Sequence, residues 1–358
     1  MNRRTAYQAP LLAIIACAMI SEQSIARADV FQAEEPPAAH AERAERALTG
    51  GIGAVEDFVE VFTLDSAAKD ETKGIYGLNL SHYDPQCFNE TTRKEDCSCT
   101  GLDYKKLSEN VKFVWLKASD GSSSTFKKSY KDPKFEAHWK ALRAARPDLH
   151  IGAYHFLRPE VSADGSANRP AEESGNAQAD NFLEQYTLIS SADKPRMPIV
   201  VDFEDSHVVC KSGSKCEDDW DLRDADSSLK ILITWLEKVE TATGVRPMIY
   251  TRKGWMEEHQ PTATAVISAK YKYWLSLYPK KQQSWNTIFQ AKPFRMPALP
   301  KGASYGATGG QYNDKHIWQF SESGAVGPAA ASCGAGRLYV DMSWFPGDQS
   351  SFDKQFGK

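Results

Sequence analysis

From Gly74 onward, short apolar runs of strand character alternate with stretches of helical period. Val111 to Ser119 and Met197 to Asp205 are the clearest runs, and each leads into acidic residues. Ile75 to Ser81, His150 to Pro159, Pro247 to Thr251, Tyr273 to Tyr278, His316 to Ser321 and Leu338 to Asp341 complete eight predicted strands. Asp132 to Arg146 places Phe135, Trp139 and Leu142 on one helical face, and Ala171 to Tyr186 reads as a second helix. Leu222 to Thr243 carries a stripe of Leu229, Leu232, Ile233, Leu236 and Val239, with Gly244 as its stop signal. Ser284 to Gly310 is rich in Pro and Gly and is predicted irregular. The strand-then-helix rhythm predicts an α/β chain closed into a TIM-like barrel, its later half irregular because full-length helices fade between the later strands. An open doubly wound sheet competes, but no Gly-rich phosphate turn follows the first strand.

The run Met-Pro-Ile-Val-Val-Asp-Phe-Glu-Asp is the most informative. It reads as a strand buried on both faces. Side chains at i and i+2 share a face, with Cα atoms roughly 6.6 Å apart, so Asp202 and Glu204 project together. In a β/α barrel the C-terminal end of a strand is where active sites sit. Two carboxylates there point to acid/base chemistry, and glycoside hydrolysis is the reaction most often built from such a pair. The competing reading is a pair of acids making loop or helix-cap contacts.

The 358 residues carry a net charge of −4, which gives no support for nucleic-acid binding. Nine Trp and fourteen Tyr mildly favour a sugar ligand, since aromatic faces line both cores and carbohydrate clefts. Residues 1–28 read as a signal peptide, with Arg3 and Arg4, an apolar stretch from Pro10 to Ile20, and the Ala26-Arg27-Ala28 cleavage site. Ile14-Ile15-Ala16-Cys17 offers a rival reading as a lipoprotein box, with Cys17 as a lipid anchor. Residues 29–73 are read as a leader and 74–350 as the catalytic barrel; no later stretch is long and apolar enough for a membrane helix. A periplasmic or secreted location follows. Cys87, Cys97, Cys99, Cys210, Cys216 and Cys333 then form an even set suited to disulfides, with Cys210 and Cys216 the nearest local pair. Zinc-site spacings are missing from this set.

Six pieces in order resemble the glycoside hydrolase family 25 lysozymes, the Chalaropsis-type muramidases. They are Gly77-Leu78-Asn79-Leu80-Ser81-His82-Tyr83, Leu116-Lys117-Ala118-Ser119-Asp120-Gly121, Tyr130 to Phe135 with Asp132-Pro133, Gly152-Ala153-Tyr154-His155-Phe156-Leu157-Arg158-Pro159, Val201-Asp202-Phe203-Glu204, and the closing segments around Trp274, Trp318 and Asp341. The resemblance covers about residues 74–346. It implies a (β/α)5(β)3 barrel acting as a monomer on peptidoglycan glycan strands. The bond cleaved would be the β-1,4 link between N-acetylmuramic acid and N-acetylglucosamine, without a cofactor. It implies Glu204 as general acid and Asp202 as the residue that positions the substrate acetamido group, and like-charge repulsion between such carboxylates keeps an acid protonated. The same resemblance implies sugar contacts from Asn79, Tyr154, His155, Trp274, Trp318 and Asp341. Four of them also have a structural reading: Asp341 as a cap, His155 as a satisfied strand histidine, the two tryptophans as core. One departure stands out. The family's first-strand aspartate is Asn79 here, which keeps the shape and loses the charge. Asp84, five residues on, is expected to lie past the strand end and not to replace it.

Overall fold

The computed structural model describes residues 75–82, 84, 86–89, 94–95, 102–122, 130–162, 166–188, 197–206, 208–209, 217–260, 267, 270–277, 316–325, 336–345 and 347–356. Of these, 86–89, 94–95, 208–209, 217, 322–325 and 336–339 are described by backbone alone. The signal segment, the leader, Cys17, the side chain of Cys87, the other five cysteines and the irregular stretch from Ser284 to Gly310 lie outside the described residues.

Thirteen strands are described: β1 (Ile75–Leu80), β2 (Gln86–Asn89), β3 (Lys94–Glu95), β4 (Val111–Asp120), β5 (Tyr130–Lys131), β6 (His150–Phe156), β7 (Val200–Asp202), β8 (Val208–Val209), β9 (Glu217–Asp218), β10 (Met248–Arg252), β11 (Lys272–Ser276), β12 (Ile317–Ala325) and β13 (Gly336–Phe345). The helices are α1 (Phe135–Ala145), α2 (Ala171–Thr187), α3 (Ala225–Thr243), α4 (Lys253–His259) and α5 (Gln349–Phe356). The barrel runs β1-β4-β6-β7-β10-β11-β12-β13 and closes through a β1–β13 pairing. The first seven of these strands are parallel to their neighbours. The predicted eight-stranded α/β barrel is therefore present, with one difference. β13 is antiparallel to both β12 and β1. It is also longer than the predicted Leu338–Asp341 segment, and its first half extends past the barrel to pair with β2.

Strand alternation divides the apolar residues into two cores. The outward set includes Leu78, Leu116, Ile151, Val201 and Ile249 and packs under Phe135, Trp139 and Leu142 of α1, Phe182 of α2 and Leu232, Trp235 and Leu236 of α3. The α3 stripe is thus displaced from the predicted one. Ile231 and Trp235 are buried, while Leu229 and Ile233 are only half-buried. The inward set includes Phe113, Trp115, Val200, Met248, Trp274 and Phe345, closed from below by Phe352 and Phe356 of α5. Phe352 stacks on Phe113 with ring centroids 5.4 Å apart. Room for these rings comes from glycine. A Cβ at Gly77 would sit 2.0 Å from the Phe113 ring, and one at Gly152 would sit 2.5 Å from Trp115. Trp115 and Trp274 stack across the interior at 4.4 Å. The N-terminal end of the barrel is therefore filled, and open chemistry is confined to the opposite end.

Candidate active site

Above the aromatic layer, the next inward positions are polar. They include Asn79 of β1, Tyr154 of β6, Asp202 of β7, Ser276 of β11 and Gln319 of β12, all buried. Asn79 is in register with Asp341, Asp202 with Tyr250, and Ser276 with Gln319. The antiparallel direction of β13 alters the expected place of Asp341. It sits in the middle of a ten-residue strand rather than at a strand end, and still faces the β1 end that holds Asn79. Asn79 Nδ2 donates to Asp341 Oδ2 at 2.6 Å. Asn79 Oδ1 is buried and accepts no hydrogen bond among the described residues.

β7 is shorter than its apolar run, ending at Asp202, so Phe203 and Glu204 continue the line just past the ladder. Phe203 turns outward and is gripped by two indoles, edge-on to Trp220 at 4.9 Å and to Trp255 at 4.8 Å. Alternation around it carries Asp202 and Glu204 to the inner side. Glu204 is 1% exposed, and its carbonyl accepts Trp220 Nε1 at 2.9 Å. The loop beyond is held by Asp218. Its Oδ1 accepts Ser206 N and Trp220 N, both at 3.1 Å, and its Oδ2 accepts Trp255 Nε1 at 2.8 Å. Arg158 reaches the same loop, donating to Ser206 O at 3.0 Å and to its Oγ at 3.1 Å. The other side of the Arg158 guanidinium meets Asp120 Oδ1 at 2.6 Å, and Lys117 Nζ meets Asp120 Oδ2 at 2.8 Å. Asp120 is fully buried and is the hub of a buried ion-paired triad. Removing Asp120 would take from two buried cations the carboxylate that pairs them.

The electrostatics converge on Tyr154. Burial first, then the charges of Asp202, Asp84, Asp341 and Asp132, hold its phenol well above the usual tyrosine range. The hydroxyl therefore stays a hydrogen-bond donor in the midst of carboxylates. Asp84 closes the turn after β1, and burial pushes its carboxyl up to about 6 against two hydrogen bonds from Ser81.

Not every residue predicted for the cleft reaches this group. His155 follows an inward Tyr154 and so faces outward. It stacks on Trp235 at 5.6 Å, with Nδ1 2.8 Å from Ser119 Oγ and Nε2 3.3 Å from Gln178 Oε1. Burial holds its imidazole down to about 4, so it is neutral. Trp318 likewise precedes the inward Gln319; it packs outside against Phe320 and Trp344 and donates to Leu277 O at 2.8 Å. Trp274 is inward but 2% exposed, bonded to Ser343 Oγ at 3.0 Å, and forms part of the floor below the polar layer. Two positions escaped the sequence reading. Tyr250 was legible from alternation, two residues after Met248 on a strand. Asp218 was legible as a cap, since Asp218 and Asp221 form a capping box on the turn Asp219–Leu222.

The family model described as glycosyl hydrolases family 25 matches residues 99–328. A protein of Escherichia coli (strain K12), described as uncharacterized protein YegX, is 29% identical over 172 residues, 48% of this chain and 48% of that protein. The alignable part thus spans about half the length of that relative. Among solved structures, the bacterial lysozyme from Streptomyces coelicolor superposes with a TM-score of 0.50 at 19% identity, covering 80% of this chain and 98% of that one. A family 25 glycosyl hydrolase from Bacillus anthracis gives 0.49 at 16% identity, covering 79% and 94%. The Streptomyces likeness speaks for the fold. The family match runs from ahead of β4 through β12, takes in the β7 acids, and leaves β1, β2, β3 and β13 outside. With well over half of its length matched in this way, the chain belongs to the glycosyl hydrolases of family 25.

Proposed function

We propose that this glycoside hydrolase is an exported muramidase, cleaving the β-1,4 bond between N-acetylmuramic acid and N-acetylglucosamine in peptidoglycan glycan strands. The observation that carries the reading is the Asp202-Phe203-Glu204 segment of a family 25 chain, its two acids on the inner side of β7 and the Phe between them clamped outward by Trp220 and Trp255. In this reading Glu204 donates its proton to the glycosidic oxygen as the bond to the anomeric carbon breaks. The acetamido oxygen of the same sugar attacks that carbon, and Asp202 accepts the acetamido N–H and steadies the positive charge that develops. Water then opens the cyclic intermediate, returning its proton to Glu204. No cofactor enters these steps. Tyr154 donates toward the sugar or toward Asp202, and Asn79 with Asp341 forms the neighbouring wall.

Export through residues 1–28, with cleavage before Asp29, belongs to the same proposal, as do disulfides among the six mature cysteines and a monomeric barrel over 74–350. No helix among the described residues is long and apolar enough to cross a membrane. Mass analysis of the mature N-terminus distinguishes a chain beginning at Asp29 from one lipidated on Cys17. The direct test of function is digestion of purified peptidoglycan, with release of new muramic acid reducing ends expected. A second reading is favoured by one observation, the neutral Asn79 donating to Asp341 where an acid pair would repel. That reading is a peptidoglycan-binding protein with little turnover. It predicts co-sedimentation with sacculi without soluble muropeptides, and a gain of turnover in Asn79→Asp.

A further inference from the structure

We propose that Ser276 of β11 and Gln319 of β12 form a sugar-binding subsite inside the barrel, where they accept hydrogen bonds from O–H and N–H groups of one sugar of the glycan. The inference rests on the muramidase reading above and adds to it residues that hold the substrate rather than transform it. Alternation fixes where the two side chains lie. Leu275, Trp318 and Phe320, the residues next to them, belong to the outer core, whereas Trp274 and Ile317, two positions before, belong to the inner aromatic floor. Ser276 and Gln319 are in register with each other, so they stand side by side one layer above that floor. They are 3% and 1% exposed, and Ser276 Oγ and Gln319 Oε1 have no hydrogen-bond partner among the described residues. Buried polar groups are ordinarily paired, and one left unpaired costs the fold its desolvation. The neighbouring inward hydroxyl shows the contrast. Ser343, in register with Gln319 on β13, accepts Trp274 Nε1 at 3.0 Å and so braces the floor.

The wall continues in the same character. Asn79 Oδ1 is a third buried oxygen without a partner among the described residues, and beside it the Asp341 carboxylate accepts Asn79 Nδ2 at 2.6 Å. β11, β12, β13 and β1 are consecutive strands of the closed ring, so Ser276, Gln319, Asp341 and Asn79 form one arc rich in acceptors. Such an arc suits ligand groups that donate, namely sugar hydroxyls and an acetamido N–H, and it disfavours an anion such as a carboxylate or phosphate. β12 is four strands from β6 in either direction around the eight-stranded ring, which sets Gln319 across the interior from Tyr154. A sugar between them lies alongside Asp202, on the strand next to β6. The register of β12 against β13 also shifts between Gln319 and Ser321, an irregularity of the kind that re-aims side chains beside active sites.

The test compares Ser276→Ala and Gln319→Met with the parent chain. Binding of peptide-free peptidoglycan glycan strands is measured by calorimetry in a Glu204→Gln background, kcat and KM on purified peptidoglycan in the wild-type background, and thermal unfolding for every chain. Each substitution removes an unpaired polar atom and keeps most of the volume, so melting temperatures are expected to stay level or rise. Strand binding is expected to weaken about five- to tenfold in each variant, with KM rising in step and kcat changing less than about threefold. Ser276→Ala, the smaller change, decides alone if Gln319→Met does not fold. Folded variants with unchanged Kd and KM overturn the inference, while muropeptide release by the wild type leaves the muramidase reading standing. A lowered melting temperature with unchanged Kd also overturns it, since the two groups then serve the fold through an internal water. A wild-type chain that releases no muropeptides overturns the muramidase reading, and if it also binds no strands it overturns this inference as well. Where it still binds strands, the same Kd comparison decides the subsite.

Discussion

At the scale of single residues, the proposed chemistry needs one proton on Glu204, and the surrounding side chains are arranged to hold the backbone that carries it. Glu204→Gln keeps the shape and the acceptor but removes the acid. It is expected to lower muropeptide release by about 10²- to 10⁴-fold with the melting temperature nearly unchanged, a comparison read from product assays and thermal scans. Two other buried groups make separate stability predictions. His155 has its pKa lowered to about 4, so its neutral form is the one the fold accepts. Its contribution is complete above about 6.5 and is lost as pH falls toward 4, a span worth about 3 kcal/mol. A His155→Gln variant should therefore show a shallower fall of melting temperature between pH 6.5 and 4. Asp84 has the opposite sign. Its pKa is raised from 3.8 to about 6, so its contribution is fully present below 3.8 and is lost as pH rises through 6. Asp84→Asn should raise the melting temperature at pH 7, by an amount equivalent to at most about 3 kcal/mol.

At the scale of elements, alternation decides who reaches the site, and this rule also marks what the sequence disclosed. Asp202 and Glu204 were legible because a strand puts i and i+2 on one face. The same rule forbids Tyr154 and His155 from sharing the cleft, and it separates Trp318 from Gln319; grouping them by motif alone overlooked the period of two. The Asp218 clamp was harder to read, because its partners Ser206, Trp220 and Trp255 come from three loops or helices that only the folded chain brings together. Glycines 77 and 152 are a further element-level feature, each leaving space for a ring on the neighbouring strand. Gly152→Ala would place a methyl 2.5 Å from Trp115, which is itself wedged against Trp274, so the floor must shift. The expected loss is about 1–3 kcal/mol or more in chemical denaturation. Trp255→Phe keeps the packing against Phe203 but removes the N–H held by Asp218. Because the loop then loses one anchor and no substrate contact, turnover should fall several-fold with KM little changed.

At the scale of the whole molecule, the eight-stranded barrel could be read from the rhythm of apolar runs, but the direction of its last strand could not. A short apolar run looks the same in either orientation, and direction is set by the connection that precedes it. Reversing β13 places Asp341 opposite Asn79 from mid-strand and lets the strand continue outward to β2, so the turn after β1 that holds Asp84 lies between two mutually supporting segments. The far end is closed by α5, whose Phe352 touches Phe113 and Phe345 at 5.4 and 5.5 Å. Phe352→Ala should cost about 3–5 kcal/mol by opening the filled end, with catalytic parameters of the folded fraction preserved. The filled end leaves one mouth for the proposed chemistry, in which Glu204 is the proposed acid. The most direct measurement is mass spectrometry of the soluble products from purified peptidoglycan treated with the wild-type chain and with Glu204→Gln. Muropeptides ending in reducing N-acetylmuramic acid from the wild type, and none from the folded Glu204→Gln variant, are the predicted result. Equal release by both chains would contradict the account.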